Sequence, residues 1–273
     1  MKIVAVTGSF DNLRSPDARF LEEASQWGSV HVALWSDETV RAIKGKSPRF
    51  AERERQYLLE ALRYVHRVTV VRGTIAPDVL PRFDAVQPDI WVVDEPSDTP
   101  AKRAHAEEQG VQYHVLTNAG LKGLRVPPFV PPAFDSGRKR VIVTGSFDWF
   151  HSGHVRFFEE ASALGDLYVV VGHDANIKLL KGEGHPLLSQ DERLYMVHSV
   201  RYVEQAMFST GHGWMDAEPE IAAIKPHFYV VNEDGDKPEK STFCAEHAIE
   251  YVVLKRIPKE GLPERQSTDL RGF

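Results

Sequence analysis

Short apolar runs alternate with segments of helical period along the chain. In its second half the runs are Val141-Ile142-Val143, Leu167 to Val171, Phe228 to Val231 and Tyr251 to Leu254; helix-period stretches at 154–164, 189–200 and 240–248 lie between them. Runs rich in β-branched residues, without polar alternation, suit strands covered on both faces. Strands separated by helices imply parallel pairing through helical crossovers, with ligands at the carboxyl ends of the strands. The pattern predicts an α/β protein of two tandem Rossmann-like domains, each a mainly parallel sheet with helices on both faces.

The halves repeat one another. Val6-Thr7-Gly8-Ser9-Phe10-Asp11 returns as Val143-Thr144-Gly145-Ser146-Phe147-Asp148, an offset of 137 residues, and Glu22-Glu23-Ala24-Ser25 returns as Glu159-Glu160-Ala161-Ser162. Lys44-Gly45 matches Lys181-Gly182, and one inserted residue makes the offset 138, pairing Glu54-Arg55 with Glu192-Arg193 and Arg63-Tyr64-Val65 with Arg201-Tyr202-Val203. Between the copies, Val126-Pro127-Pro128-Phe129-Val130-Pro131-Pro132 has prolines that fix φ and remove donors, which predicts an extended linker. The expected divisions are 1–125, a proline-rich linker at 126–137, and 138–273.

At 273 residues, 42% hydrophobic and 26% charged, the chain has room for two cores and is not of a disordered type. A formal charge of −6 gives the surface no broad attraction for phosphate backbones, so no nucleic-acid partner is expected and any phosphate site must be built locally. The single Cys244 forms no intramolecular disulfide. The apolar runs are too short to span a bilayer, and Lys2 to Thr7 reads as a strand and not as a secretory segment. The expectation is a cytoplasmic protein without integral membrane contact.

Chemistry concentrates where the first strand of copy two runs through Thr144-Gly145-Ser146-Phe147-Asp148-Trp149-Phe150-His151-Ser152-Gly153-His154 into a helix beginning near Gly153. Free amides and the positive dipole end of that helix favour an anion, and a glycine lets a phosphate approach the backbone. His151 and His154, three apart, share one helical face and can present two imidazoles to the same phosphate. Taken alone, such a pair is more often two surface histidines at a helix start. The His-x-Gly-His spacing, the preceding Gly-Ser-Phe-Asp and the strand-to-helix position resemble the nucleotidylyltransferase superfamily, more narrowly its cytidylyltransferase-like members. Lys181-Gly182 with Pro186, Glu192-Arg193, Arg201-Tyr202-Val203 and Arg265-Gln266-Ser267-Thr268-Asp269-Leu270-Arg271 are similar to further motifs of that family, in order, across essentially all of copy two.

The resemblance implies a nucleotidylyltransferase that joins a nucleoside triphosphate to a phosphorylated small molecule and releases pyrophosphate, with Mg2+ bound through the nucleotide phosphates and no covalent enzyme intermediate. By the same likeness His151, His154, Lys181 and Arg193 are catalytic. Thr144, Gly145, Ser146, Phe147, Asp148, Asn232, Asp236, Arg265, Ser267 and Thr268 bind the nucleotide, and Asp148 orients a histidine. Thr144 also reads as a plain strand end, and Ser267-Thr268 as a helix cap. Lys181 and Arg193 would elsewhere be ordinary solvated charges. His173, His185, His198, His212 and His227 have no ligand-like spacing, so no protein metal site is expected. Trp149, Phe150, His212 and Trp214 are candidate walls for the acceptor.

Copy one reads Arg14-Ser15-Pro16-Asp17 where copy two has its histidines, and Gly123-Leu124-Arg125-Val126-Pro127 lacks the serine-threonine pair. A single active site is expected in copy two, with copy one a degenerate partner completing an internal pseudo-dimer; a further homodimer is compatible with this layout. The tandem arrangement resembles ethanolamine-phosphate cytidylyltransferases, although there the first copy carries the histidines. Both CTP and ATP stay open as donors. The tandem layout and Arg201-Tyr202-Val203 favour CTP, whereas Gly-Asp then Lys-Pro-Glu at 235–239 resembles heptose-phosphate adenylyltransferases. A class I aminoacyl-tRNA synthetase is disfavoured by the acidic, short chain, and a non-catalytic nucleotide-binding protein is the rival from another class.

Overall fold

The computed structural model describes residues 1–73, 76–83, 86–133 and 137–270, without the side chains of Thr268 and Asp269. Contacts divide the chain into two compact units, Met1–Gly123 and Leu124–Phe273.

The first unit contains β1 (Ile3–Gly8), α1 (Ser15–Ser25), β2 (Ser29–Trp35), α2 (Asp37–Lys44), α3 (Glu52–Glu60), β3 (Val65–Val71), β4 (Ile90–Asp94), α4 (Pro100–Glu108) and β5 (Gln112–Leu116). The second contains β6 (Arg140–Gly145), α5 (Ser152–Ser162), β7 (Asp166–Val171), α6 (Asp174–Lys181), α7 (Gln190–His198), β8 (Gln205–Phe208), α8 (Glu218–Ile224), β9 (Phe228–Asn232), α9 (Pro238–Glu246) and β10 (Glu250–Leu254). Each unit has one five-stranded parallel sheet, ordered β3-β2-β1-β4-β5 and β10-β9-β6-β7-β8. The orders are equivalent, so the sequence repeat is a repeat of topology, and two Rossmann-like α/β units account for the chain. Crossovers leave the first strand of each unit in opposite directions, and right-handed connections then put helices on both faces.

In the second unit, Ile142, Tyr168, Val170, Met207, Tyr229 and Val231 point to one face, where Ala217, Ile221, Ile224 and Cys244 from the α8 and α9 region cover them. The helices α5 and α7 pack on the strands from the other side. Burial on both faces explains the unbroken apolar runs. In the first unit Leu80 and Phe83 pack against the core of Trp91, Val93 and Ala106. Among the described residues no helix lies between β3 and β4, where the second unit has α8.

The proline segment is docked and is not a detached tether. Gln205 of β8 accepts the Val130 amide and donates to the Val130 carbonyl, both at 2.9 Å, and Phe129 packs against the second core. Its prolines exclude helix and strand, and a side-chain amide satisfies the backbone that they leave unpaired. Among the described residues no helix is long and apolar enough to cross a membrane.

Candidate active site

The strand β6 ends at Gly145, and the turn after it is set by aromatic packing. A Cβ on Gly145 would lie 2.9 Å from Phe147 Cζ, so the glycine makes room for the Phe147 ring, which sits at a left-handed φ of 47°. Gly8 and Phe10 repeat this in the first unit, with a would-be contact of 3.2 Å and φ of 43°. The glycine therefore serves the turn in both copies, whether or not histidines follow.

His151 caps α5: its Nδ1 accepts the Gly153 amide at 3.1 Å. With Nδ1 an acceptor, a neutral ring carries its proton on Nε2. That Nε2 is buried and has no hydrogen-bond partner, as is Nδ1 of His154. The two rings stack with centroids 3.9 Å apart, and Phe147 and Phe150 lie against His154 at 5.4 and 5.8 Å. A Cβ on Gly153 would come within 2.9 Å of the His151 ring, so only glycine fits at the second helical position. Burial pushes His151 down to about 3, helped by the positive charges of Arg256 and Arg265. His154 is held well below its ordinary value by burial, then by His151, Arg256 and Lys181. Both imidazoles are thus neutral, in a field of three cations. Lys181 stands at the C-terminus of α6 and donates to Ser146 Oγ at 2.8 Å.

A cleft runs from this helix start along α5, lined by Ser152, Gly153, Arg156, Asn232, Arg256 and Arg265 among others. Arg256 follows β10. Its guanidinium binds Asp234 at 2.7 Å and the Arg265 carbonyl at 2.7 Å, which folds the tail back toward the histidines. Sequence reasoning missed this residue. Its one signal was in the repeat, where the equivalent position is the neutral Asn118.

The structure therefore brings together His151, His154, Lys181, Ser146, Asn232 and Arg265, and adds Arg256. Ser267 lies two residues beyond Arg265 in a 3-10 turn, Ser267–Leu270. The Thr268 side chain lies outside the described residues. Two expectations are corrected. Arg193 is fully buried and does not face the cleft. It donates to the carbonyls of Ser146 at 2.5 Å, Gly172 at 2.8 Å and Leu188 at 3.1 Å, and binds Asp174 at 2.7 Å. Its charge is spent on tying strand ends together. Asp148 accepts the amides of Leu187 and Leu188 at 2.9–3.1 Å and so anchors the loop after α6, not His151 or His154. Thr144 turns to the other face and bonds Tyr229 at 2.9 Å, and Asp236 accepts from Tyr251 at 2.9 Å.

Of the candidate acceptor walls, Trp149 and Phe150 are buried, while Trp214 is 49% exposed. Its loop is held rigidly: the Asn176 amide bonds both the N–H and the carbonyl of Gly213, at 2.8 and 3.0 Å.

In the first unit the frame persists without the site. Arg55 binds the carbonyls of Ser9, Trp35 and Phe50 and the carboxylate of Asp37, Asp11 anchors Arg49 and Phe50, and Lys44 meets Ser9 at 2.7 Å. Asp17, at the position of His154, accepts the Arg14 amide, and burial raises its carboxyl above the usual range.

Residues 142–270 match the model of the cytidylyltransferase-like family. An FAD synthase of Methanocella paludicola is 43% identical over 135 residues, 48% of this chain and 93% of that protein. An FAD synthase of Aciduliprofundum boonei is 35% identical over 49% of this chain and 84% of that protein. The bifunctional protein HldE of Aliarcobacter butzleri is 33% identical over 44% of this chain, but the match spans only 25% of HldE. With the two FAD synthases matched over most of their length, and the family's own model lying on the unit that holds the paired histidines, the chain belongs to the cytidylyltransferase-like family of nucleotidylyltransferases.

Proposed function

We propose that the second unit transfers a nucleotidyl group to a phosphate monoester. An acceptor phosphate oxygen attacks the α-phosphate of a nucleoside triphosphate, a phosphoanhydride bond forms, and the α–β bond breaks to release pyrophosphate. The observation that carries this reading is the buried Nε2 of His151, a donor without a protein partner, stacked beside His154 at the open end of α5. Such donors suit a reaction whose catalysis is positioning plus neutralisation of charge on the equatorial oxygens. Lys181, Arg256 and Arg265 supply that neutralisation, Ser267 and Thr268 hydrogen-bond the outer phosphates, and Arg193 and Asp148 keep the frame. The first unit is a degenerate copy without turnover.

Among the described residues no group of three or more His, Cys, Asp or Glu side chains could hold a metal ion. The donors around the histidines are nitrogens and hydroxyls, which suit phosphate oxygens. Mg2+ would therefore ride on the triphosphate and neutralise its charge there.

The donor is CTP or ATP. The tandem layout supports CTP. The FAD synthases support ATP, because the adenylyl half of FAD needs an adenine nucleotide, and so does the heptose-phosphate adenylyltransferase reading. The exposed, rigidly held Trp214 fits an acceptor with a ring to cover. Calorimetry with CTP and ATP, followed by pyrophosphate release with flavin mononucleotide, a heptose phosphate, glycerol phosphate and ethanolamine phosphate, tests the proposal. Binding of one triphosphate and release with one acceptor are expected; no release with any pair overturns it.

A further inference from the structure

The two units differ at the carboxyl ends of their second and third strands. Trp35 and Gly172 are equivalent: each gives its carbonyl to the buried arginine of its own unit, Arg55 at 2.9 Å and Arg193 at 2.8 Å. Where the first unit has an indole, the second has no side chain. A Cβ on Gly172 would lie 3.6 Å from Oδ2 of Asp216, so that carboxylate reaches over the end of β7. After β8, Ser209 stands where the first unit has Val71, and its hydroxyl donates to the same Oδ2 at 2.6 Å. Only one oxygen of Asp216 is used there. The other, Oδ1, has no hydrogen-bond or ion-pair partner among the described residues and is not sealed from solvent. Asp78, at the same offset in the first unit, instead accepts from Thr99 at 2.8 Å. The Asp216 carbonyl accepts the Gly211 amide at 2.9 Å and closes the loop that carries Trp214, so carboxylate and indole belong to one rigid wall.

We propose that Asp216 is a specificity-determining residue for the acceptor: Oδ1 receives a hydrogen-bond donor, a hydroxyl or an ammonium, carried a short carbon chain away from the acceptor's phosphate. This deepens the nucleotidyl-transfer reading and rests on it. Position sets the length of that chain. Gly172 donates to the Gly145 carbonyl at 3.0 Å, so the end of β7 adjoins Ser146 and, through its hydroxyl, Lys181 at 2.8 Å. A carboxylate over β7 and β8 then stands one to two strand spacings from an acceptor phosphate at Lys181, about 5–10 Å. The cleft of Arg256 and Arg265 lies on the other side of β6, past Asn232 at the end of β9, and is left to the triphosphate. A bound acceptor excludes water from Oδ1 and must supply a donor in its place, or leave a carboxylate oxygen unsatisfied. A site built in this way rejects an analogue that lacks the donor. In the first unit the side chains of Trp35 and Val71 replace this glycine and this hydroxyl, in keeping with a copy that has no acceptor to read.

The test uses the full chain with Mg2+ and both ATP and CTP. Pyrophosphate release is measured with glycerol 3-phosphate, a heptose phosphate, flavin mononucleotide and ethanolamine phosphate, and with propyl phosphate, a monoester that carries no donor. The wild type is expected to prefer its best donor-bearing acceptor over propyl phosphate about 10²-fold or more in kcat/KM. The preferred acceptor names the donor: ethanolamine phosphate an ammonium, the other three a hydroxyl. Asp216→Ala should reduce the preference to less than about 5-fold. Asp216→Asn keeps an oxygen for Ser209 but loses the charge, and should reduce it about 10-fold. Triphosphate affinity by calorimetry should stay within about 2-fold in both variants. A merely structural defect lowers both rates alike and leaves their ratio unchanged. Melting temperatures identify a variant that has unfolded, and if Asp216→Ala is one, Asp216→Asn decides. An unchanged preference in the folded variants, or wild type that turns over propyl phosphate as well as the rest, overturns the assignment of Asp216 alone. Wild type that releases no pyrophosphate with any acceptor overturns the nucleotidyl-transfer reading, and the assignment with it.

Discussion

At the scale of single residues, one backbone amide decides the proton on the first imidazole. Gly153 donates to Nδ1 of His151, which leaves Nε2 as a donor facing no protein acceptor, and an oxyanion satisfies it better than water beside the rings of Phe147 and Phe150. In the proposed transfer His154, stacked on His151, would stand beside the charge that develops. His154→Ala is therefore expected to lower kcat by about 10² or more with little change in triphosphate affinity, since one preorganised donor to an oxyanion contributes about that much. Steady-state kinetics beside calorimetry check this, and an unchanged kcat refutes the role. Burial of neutral imidazoles also makes stability depend on pH. His151 is held at about 3 in the folded chain, whereas an unfolded histidine takes up its proton near 6.5. Between those values only the unfolded state gains a proton, so stability falls as pH drops through that window and is unaffected above it. Melting temperatures of the wild type should fall more between pH 7 and 4.5 than those of His151→Gln; parallel slopes would show that the ring does not titrate as described.

At the scale of elements, the arginine clamp shows what the chain makes legible and what it hides. Glu54-Arg55 and Glu192-Arg193 are plain in the sequence, and so are the strands and helices around them, because uninterrupted β-branched runs and helical periods each have a burial pattern behind them. The direction of a guanidinium has no such periodicity. Only the folded carbonyls of Ser146, Gly172 and Leu188 reveal that Arg193 ties β6, β7 and the start of α7 together. Arg256 is hidden for the opposite reason: it belongs to no spaced motif, and the return of β10 beside β9 is what carries it to the histidines. The clamp makes a paired prediction. Removing a buried guanidinium leaves several carbonyls and a carboxylate without their donor, at about 3–5 kcal/mol. Arg193→Ala and Arg55→Ala should each destabilise their own unit by that order in denaturant titrations. If Arg193→Ala instead keeps the stability and lowers kcat, Arg193 reaches the reacting phosphates after all.

At the scale of the whole molecule, the duplication is an internal control on which residues make a fold and which make a site. Of the residues present in both copies, Gly145 with Phe147, Asp148 and Arg193 have packing roles or protein partners in both, and Lys181 bonds Ser146 as Lys44 bonds Ser9, so only Lys181 and Ser146 belong to the frame and to the site alike. Those present in the second copy alone, His151, Gly153, His154, Arg256 and the Ser267-Thr268 pair, cluster at one helix start and the tail that faces it. Reviving the first copy should then need more than its missing imidazoles. Arg14→His, Pro16→Gly and Asp17→His together would rebuild the helix start, with a glycine making room for the first ring. The clasp of Arg19 on Gly120 and Gly123 would still hold the tail against α1, and neither an Arg256 nor a serine-threonine pair would be there to receive phosphates. In a chain whose own site is disabled by His154→Ala, the triple variant is expected to release no pyrophosphate above that background. Turnover restored by those three changes would mean that two histidines suffice, and that the tail and its arginine contribute far less than their positions imply.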